Sequence, residues 1–225
     1  MKKEQVSGLD FFKGKYCETI EKKIKNLLNS KKRLRNPEHS PRTMGDMVQK
    51  VLEKSMSKCF PRADIKNFKG DYKRKAMSDV SFKDMKNNFF SVDVKTRNED
   101  TDFNMPNMTS VRRIWKFYEK DTNYFVILLV DYKTVDNERY FTNVRLFPIE
   151  WFNWNDLRIG ALGWGQIQIK NATKFEIDES QNRKAWLLTL HKTVLEFYDE
   201  QLNEIKNTRK KFFENGLEKI NNKSE

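Results

Sequence analysis

Residues 89 to 96 decide the fold class, and they read Phe-Phe-Ser-Val-Asp-Val-Lys-Thr. β-Branched and aromatic residues dominate this run, as is typical of a strand. A mostly polar stretch, residues 83 to 88, separates it from a similar run at residues 76 to 82. Two such runs joined by a polar stretch predict a β-hairpin, and therefore a sheet at the centre of the protein.

Charged side chains lie on this predicted hairpin. Successive side chains of a strand point to opposite faces, so Asp93 and Lys95 are expected to project together. Val92 and Val94 are then expected to face the core. Pairing of the two strands would bring Asp79, on the first strand, alongside the Asp93–Lys95 pair.

Two converging carboxylates are suitable ligands for Mg²⁺, which needs only one or two of them because water and phosphate oxygens complete its octahedron. A metal there would polarise a phosphoryl group and lower the pKa of a bound water. Lys95 would either hydrogen-bond the attacking water or neutralise charge in the transition state, and both roles stay open. Asp79, Asp93 and Lys95 are therefore predicted catalytic residues, with Asp79 and Asp93 as the metal ligands.

Helices are predicted on both sides of the hairpin in the chain. Residues 10 to 29 carry apolar side chains at a spacing of three to four, which indicates an amphipathic helix. Thr43 is the expected cap of a second helix that runs to about Lys58. The apolar spacing returns over residues 182 to about 215, as one long helix or as two broken near Lys206. The C-terminal stripe favours core packing, with a dimer contact as the alternative.

Three further strands are predicted. Residues 124 to 132 form the most apolar run and indicate a buried central strand, while 140 to 148 and 165 to 170 are weaker candidates. The expected architecture is α/β, a mixed sheet flanked by helices. A length of 225 residues favours one domain over two. Its N-terminal helical region would cover about 1 to 60 and its C-terminal helical region about 180 to 220.

The overall charge points to an anionic partner. The chain has 44 Lys and Arg against 32 Asp and Glu, a formal net charge of +12. Nucleic acid is favoured as the partner, although lysine use inflated by an AT-rich genome would also raise the charge. Cys17 and Cys59 form no CxxC pair, which suits a reducing cytoplasm. No apolar run reaches ~18 residues, so neither membrane insertion nor secretion is expected.

The segment after the predicted catalytic strand narrows the class of protein that the sequence indicates. Asp93-Val94-Lys95-Thr96-Arg97-Asn98 continues through Asn104-Met105-Pro106-Asn107. This segment resembles the corresponding stretch of the HincII-like and EcoRV-like type II restriction endonucleases, which belong to the PD-(D/E)xK superfamily. The resemblance is specific over about fifteen residues and weaker over roughly two thirds of the chain.

The resemblance implies a cytoplasmic, Mg²⁺-dependent homodimer without a nucleotide cofactor. It would cut both strands of a short palindromic site in double-stranded DNA, leaving 5′-phosphate and 3′-hydroxyl ends, within a restriction-modification system. The family pattern makes Asp79 and Asp93 metal ligands and Lys95 the catalytic lysine. Asn107 matches a residue that hydrogen-bonds base edges, and Asn104 matches one that pushes into the base stack.

The polar loop expected after the predicted catalytic strand is also chemically suited to DNA. Its predicted DNA-binding residues are Thr96, Arg97, Asn98, Asn104 and Asn107. Amide side chains pair with adenine, and arginine clamps phosphate or guanine. An ordinary asparagine-rich surface loop is the alternative.

Two positions depart from the family pattern. Ser78 stands where the motif has proline, a change that many members share. Gln49 stands at the position of a helix glutamate. If the site needs an acid there, Asp46 or Glu53 would supply it, so these three are possible accessory residues.

Two rival functions stay open at this point. A repair or junction-resolving nuclease of the same superfamily would read DNA shape more than base identity. A non-enzymatic basic DNA-binding protein would use its charge alone, with the acidic pair merely structural. Metal-dependent cleavage separates these hypotheses, whereas salt-sensitive DNA binding does not.

Overall fold

The computed structural model describes residues 7–70, 76–101, 107–171 and 174–221. The helices are α1 (Gly14–Asn29), α2 (Pro41–Ser55), α3 (Val111–Phe117), α4 (Arg183–Glu204) and α5 (Lys210–Asn221). The strands are β1 (Ile65–Lys69), β2 (Val80–Asp84), β3 (Phe89–Asn98), β4 (Asn107–Ser110), β5 (Asn123–Val135), β6 (Glu138–Pro148), β7 (Leu157–Gly160) and β8 (Gln166–Ile169).

Five strands form the main sheet, in the order β1-β2-β3-β5-β6. Only β3 and β5 run parallel, and the other neighbouring pairs are antiparallel. The smaller sheet has the order β4-β8-β7 and is antiparallel. The parallel pair needs a crossover, and β4 and α3 lie within it. The predicted α/β class, with a mixed sheet flanked by helices, is therefore confirmed.

Apolar groups cover both faces of the main sheet. Phe89 and Phe90 are neighbours on β3, so their side chains point to opposite faces. Phe90 stacks on Phe82 of β2, with ring centroids 4.8 Å apart, and also contacts Phe11. On the other face, Phe89 contacts Phe117 of α3 at 6.1 Å. Side chains that project from either face of β3 are therefore drawn into the interior, including charged ones.

The hairpin is confirmed, with a shifted first strand. Val80 pairs with Val92 and Phe82 with Phe90, so β2 and β3 are antiparallel neighbours as predicted. The first strand begins at Val80, however, and not at Ala76. Asp79 therefore lies just before β2. Its backbone N–H still donates to the carbonyl oxygen of Val92 at 2.9 Å, which extends the pairing by one residue.

The start and the end of the second helix were predicted wrongly. Ser40 caps α2, because its Oγ accepts a hydrogen bond from the backbone N–H of Thr43 at 3.2 Å. Pro41 occupies the first helical position, where a missing N–H costs nothing. The helix ends at Ser55, and a 3₁₀ turn covers Met56–Cys59 where helix was expected to about Lys58.

The first helix is shorter than its apolar pattern suggested. The apolar stripe began at Phe11 and Phe12, but these two residues belong to a 3₁₀ turn, Gly8–Phe12. Gly14 follows with a φ of +51°, a left-handed value that suits glycine, and the α-helix starts there. The prediction of an amphipathic helix holds for α1 itself, which buries Cys17, Ile20, Ile24 and Leu28.

The C-terminal segment is one helical path from α4 to α5. The residues between them, Ile205–Arg209, form a π-helical turn near Lys206, where the sequence left open either one long helix or a break. Trp186 and Leu190 of α4 are buried in the same hydrophobic core as Phe11. None of the helices in the described ranges combines the length and apolar character that a membrane span requires.

The smaller sheet was largely missed. Only its strand β8 coincides with a predicted strand, at residues 165 to 170. Its partners β4 and β7, which like β8 have four residues each, were not predicted. Asn107, expected in a loop, is the first residue of β4.

Candidate active site

The predicted catalytic residues of the hairpin come together. Asp93 and Lys95 project from the same face of β3, and the Lys95 Nζ donates to Asp93 Oδ1 at 2.9 Å. Asp79 approaches from the start of β2, where its Oδ2 accepts a hydrogen bond from the backbone N–H of Val94 at 2.8 Å. The expected orientation of Asp93 and Lys95 on one face is therefore confirmed.

Burial distinguishes Asp93 from an ordinary surface acid. The residue is 7% exposed, because the face from which it projects is covered. Its second carboxylate oxygen, Oδ2, is buried and receives no hydrogen bond from the described part of the chain. A buried carboxylate oxygen without a partner is costly, so this atom is poised to bind a cation or a donor.

The pKa values of both carboxyls reflect this environment. Burial raises the pKa of Asp93 to about 7, with Lys95 opposing the shift and the nearby Asp79 charge adding to it. Burial also raises the pKa of Asp79, against the lowering effects of the Val94 N–H and of Lys95. Such shifts are frequent at functional sites, where charged groups are held ready for a ligand.

Helix α2 brings a third acid close to the pair. The Glu53 charge contributes to the raised pKa of Asp79, which places Glu53 within electrostatic reach. Its carboxylate is held by Gln49, whose Nε2 donates to Glu53 Oε1 at 2.8 Å. Gly70 packs directly on the Glu53 backbone, since a Cβ on that glycine would clash with the Glu53 carbonyl group.

The positions of the candidate accessory residues on α2 show which acid lies near the acidic pair. Asp46 is exposed, almost two turns before Glu53 on α2. Gln49 is half-buried and positions Glu53. Glu53 is therefore the acid that the fold directs toward the predicted site.

The donor set fits a hard divalent cation. Two carboxylates lie within electrostatic reach of each other, and one of them has a buried oxygen that receives no hydrogen bond from the described residues; oxygen ligands are what Mg²⁺ prefers. Within the described ranges, no three His, Cys, Asp or Glu side chains converge as a metal cluster. A metal here would use Asp79 and Asp93 and take its remaining ligands from water and phosphate.

The residues that follow Lys95 occupy varied positions. The Oγ1 of Thr96 lies beside α2, 3.4 Å from where a Cβ on Gly45 would stand. Arg97 is 9% exposed, and its Nε donates to Asp131 Oδ1 at 2.8 Å. Asn98 closes a turn, with its Oδ1 accepting from the backbone N–H of Asp100 at 3.1 Å.

Burial of Arg97 bears on its predicted role. Contact with DNA would require its guanidinium to be shared with or released by Asp131. The predicted DNA contacts of Thr96, Arg97 and Asn98 stay predictions. Asn104 lies outside the described residues.

Asn107 belongs to a polar relay across the smaller sheet. Arg158 Nε donates to Gln168 Oε1 at 3.0 Å, and Gln168 Nε2 donates to Asn107 Oδ1. Arginine has only donors, so it fixes the direction of the relay: Gln168 accepts from Arg158 and donates to Asn107. The exposed Asn107 side chain therefore keeps its Nδ2 as a donor toward solvent.

Sequence reasoning missed this relay and the Arg97–Asp131 ion pair. Asp131 ends a strongly apolar run, and that position alone suggested a buried charge in need of a partner. Gln168 alternates with buried Ile167 and Ile169, the pattern of a strand with one polar face, and this was the available indication of its position.

No protein-family model and no curated protein matches this chain.

Proposed function

We propose that this chain is a Mg²⁺-dependent type II restriction endonuclease with a PD-(D/E)xK core, which hydrolyses phosphodiester bonds in both strands of a short palindromic DNA site. The supporting observation is the acidic pair beside Lys95, in which Asp79 is half-buried, Asp93 is buried, and Asp93 Oδ2 receives no hydrogen bond from the described residues. The basic charge of the chain, +12, supports a nucleic acid partner.

The acidic pair would hold the metal. Asp79 and Asp93 would supply its carboxylate ligands, and Glu53 would add negative charge nearby. When bound, Mg²⁺ supplies polarisation of the scissile phosphate and acidification of a coordinated water.

Lys95 has the position of a charge-stabilising residue. Its ammonium is held at Asp93 Oδ1, and its side chain is 20% exposed. It would therefore meet a phosphate that enters beside the acidic pair. There it would stabilise negative charge on the phosphoryl oxygens or orient the attacking water.

Asn107 would contribute to sequence recognition. Its outward Nδ2 donor suits a base acceptor, such as a purine N7 or a carbonyl oxygen in the major groove. Gln168 and Arg158 would hold that amide in one orientation. A homodimer would place two such sites on the two strands of a palindrome.

A repair or junction-resolving nuclease with the same chemistry is the second candidate. Burial of Arg97 favours it, because an arginine paired with Asp131 is poorly placed to read bases. Such an enzyme would cut DNA according to shape.

The test is cleavage of unmethylated phage DNA in Mg²⁺, with EDTA and Asp93→Ala controls. Discrete fragments that disappear in both controls would support the restriction enzyme. A smear would support the second candidate. Intact DNA that is still shifted in a gel would reject the nuclease and leave a basic DNA-binding protein.

A further inference from the structure

Helix α4 carries two apolar stripes on different sides. One stripe packs onto the fold through Trp186 and Leu190, which are buried. The other contains Leu188, Leu195 and Leu202, which are 62, 52 and 64% exposed. Leu188 and Leu190 are two residues apart and so point about 200° apart around the helix. The fold therefore uses one stripe and leaves the second in solvent.

The exposed stripe has the spacing of a coiled-coil seam. Its residues alternate at intervals of three and four: Leu188, His191, Leu195, Tyr198, Leu202 and Ile205. This is the a and d pattern of the heptad repeat, by which two helices pack knobs into holes. We call these six residues the seam. Four of them are aliphatic and exposed. Tyr198 is half-buried at the edge of the seam, where its hydroxyl donates to the Trp164 carbonyl oxygen at 2.8 Å.

The surface beside the seam extends this apolar area. A groove of about 280 Å³ lies between α3 and α4, next to Leu195. Trp115 and Trp164 line it and are 47 and 60% exposed. Contiguous exposed apolar surface of this kind usually marks an interaction site.

Charges beside the seam indicate a second copy of the same helix. Lys192 and Asp199 are seven residues apart and both occupy the e position, and e faces e in an antiparallel pair of helices. If Leu195 of one copy faces Tyr198 of the other, Lys192 lies opposite Asp199 of the second copy, and the symmetry makes this contact twice. The exposed Lys192–Glu196 pair, 3.7 Å apart on the same helix, is too weak to compete strongly.

Neighbouring registers lack this complementarity. A shift by one heptad in one direction places Lys192 opposite Lys206 and Asp199 opposite its own copy. A shift in the other direction places Lys192 opposite Lys192. Like charges at such positions are unfavourable, so the sequence selects one antiparallel register.

We propose that α4 mediates antiparallel self-association of this chain through the seam, with Leu195 facing Tyr198 and Lys192 paired with Asp199 across the twofold axis. The occupant of the exposed stripe is thus the α4 helix of a second copy. This interface stands on the helix alone and does not depend on the proposed cleavage chemistry.

Sedimentation velocity of the full chain, over roughly 1 to 100 µM, tests the interface. The wild type is expected to be a dimer, and Leu195→Glu with Leu202→Glu is expected to give a monomer with unchanged helix content by circular dichroism. Leu162→Glu is the matched control, since Leu162 is 62% exposed in the loop after β7. This control should dimerise like the wild type.

Charge reversal tests the register. Lys192→Glu and Asp199→Lys, made singly, should each weaken the dimer by roughly tenfold, and the double variant should restore it. A monomeric wild type, or a dimer insensitive to the leucine changes, would overturn the interface. Failure of the double variant to restore association would overturn the antiparallel register. Loss of DNA cleavage with an intact dimer would instead count against the proposed function.

Discussion

Two buried aspartates on the same face of the main sheet differ in how their charge is met. On β5, Asp131 is 1% exposed, and both its oxygens have partners. Arg97 donates to Oδ1 at 2.8 Å, while Arg145 and Asn143 approach Oδ2 at 3.6 and 3.4 Å. On β3, Asp93 has Lys95 on one oxygen and no described partner on the other.

The difference separates a structural charge from a site for a ligand. A buried carboxylate whose oxygens are all paired holds strands together, and loss of its charge would take the closest counter-ion from the paired arginine. A buried carboxylate with an unmet oxygen costs stability until something binds it. Burial is shared by both aspartates, so the unmet oxygen is the feature that identifies Asp93 as a candidate metal ligand.

The largest expected effect is loss of activity in Asp93→Asn. The amide keeps the shape of the side chain but removes the charge that would bind Mg²⁺, so single-turnover cleavage should fall by at least about a thousandfold. The free energy of unfolding at pH 8, measured in urea, should stay constant or rise because a buried charge is gone. An Asp93→Asn variant that still cuts DNA would refute the proposed site.

Asp131→Asn should have the opposite effects, a loss of stability with activity retained. Removal of the Asp131 charge takes the closest counter-ion from the buried Arg97 and leaves it the longer Glu99 contact at 3.6 Å, so the free energy of unfolding should fall by about 3 kcal/mol. Cleavage per folded molecule should stay within a few-fold of wild type. Urea unfolding and active-site titration measure the two quantities, and a stable but inactive variant would contradict the distinction between the two aspartates.

Lys95→Met should reduce the cleavage rate by about a hundredfold, because it removes the positive charge beside the scissile phosphate. The ammonium also lowers the pKa of Asp93, so its loss should move the pH–rate profile toward higher pH. Lys83→Met, on the neighbouring strand β2, is the control. A reduced rate with an unshifted pH–rate profile would show that Lys95 does not lower the pKa of Asp93.

Stability without metal should fall as pH rises from 5 to 7. The folded-state pKa of Asp93, about 7, lies above its ordinary value of 3.8, so the folded state binds the extra proton. Stability from this group is therefore full below about pH 4 and is lost as pH rises through 7, by about 4 kcal/mol in all. Urea unfolding of the wild type across this range should show the free energy of unfolding decreasing with pH. If the same decrease persists in Asp93→Asn, another group causes it.

The smallest effect is expected at the accessory acid. Glu53→Gln removes a charge that acts on the pair from α2, so cleavage should fall by about tenfold. Asp46→Asn, on the same helix but exposed, should leave the rate unchanged. Equal rates for the two variants would remove Glu53 from the site.

Much of the fold was predictable because its longest elements have strong local patterns. The apolar run at residues 124 to 132 lies within β5, and the hairpin pairs as expected. The short strands β4 and β7 were not predicted. Both pair with β8, which is distant from β4 in the chain, so the position of β4 depends on a contact that its local sequence does not show. The cap of α2 was predicted at Thr43 but is Ser40, because both side chains carry a hydroxyl that can cap a helix and the local sequence does not distinguish them.

The sequence by itself determined that Asp93 and Lys95 share a face of one strand and that Asp79 lies beside them on the other arm of the hairpin. Both follow from local properties, the alternation of side chains along a strand and the pairing of a hairpin. Only the tertiary structure decided that Asp93 is buried with an unmet oxygen, that Glu53 and not Asp46 approaches the pair, and that Arg97 is paired with Asp131. These outcomes depend on the packing of α2, α3 and β5 around β3. Contacts between distant segments set burial and electrostatics, and no local period encodes them.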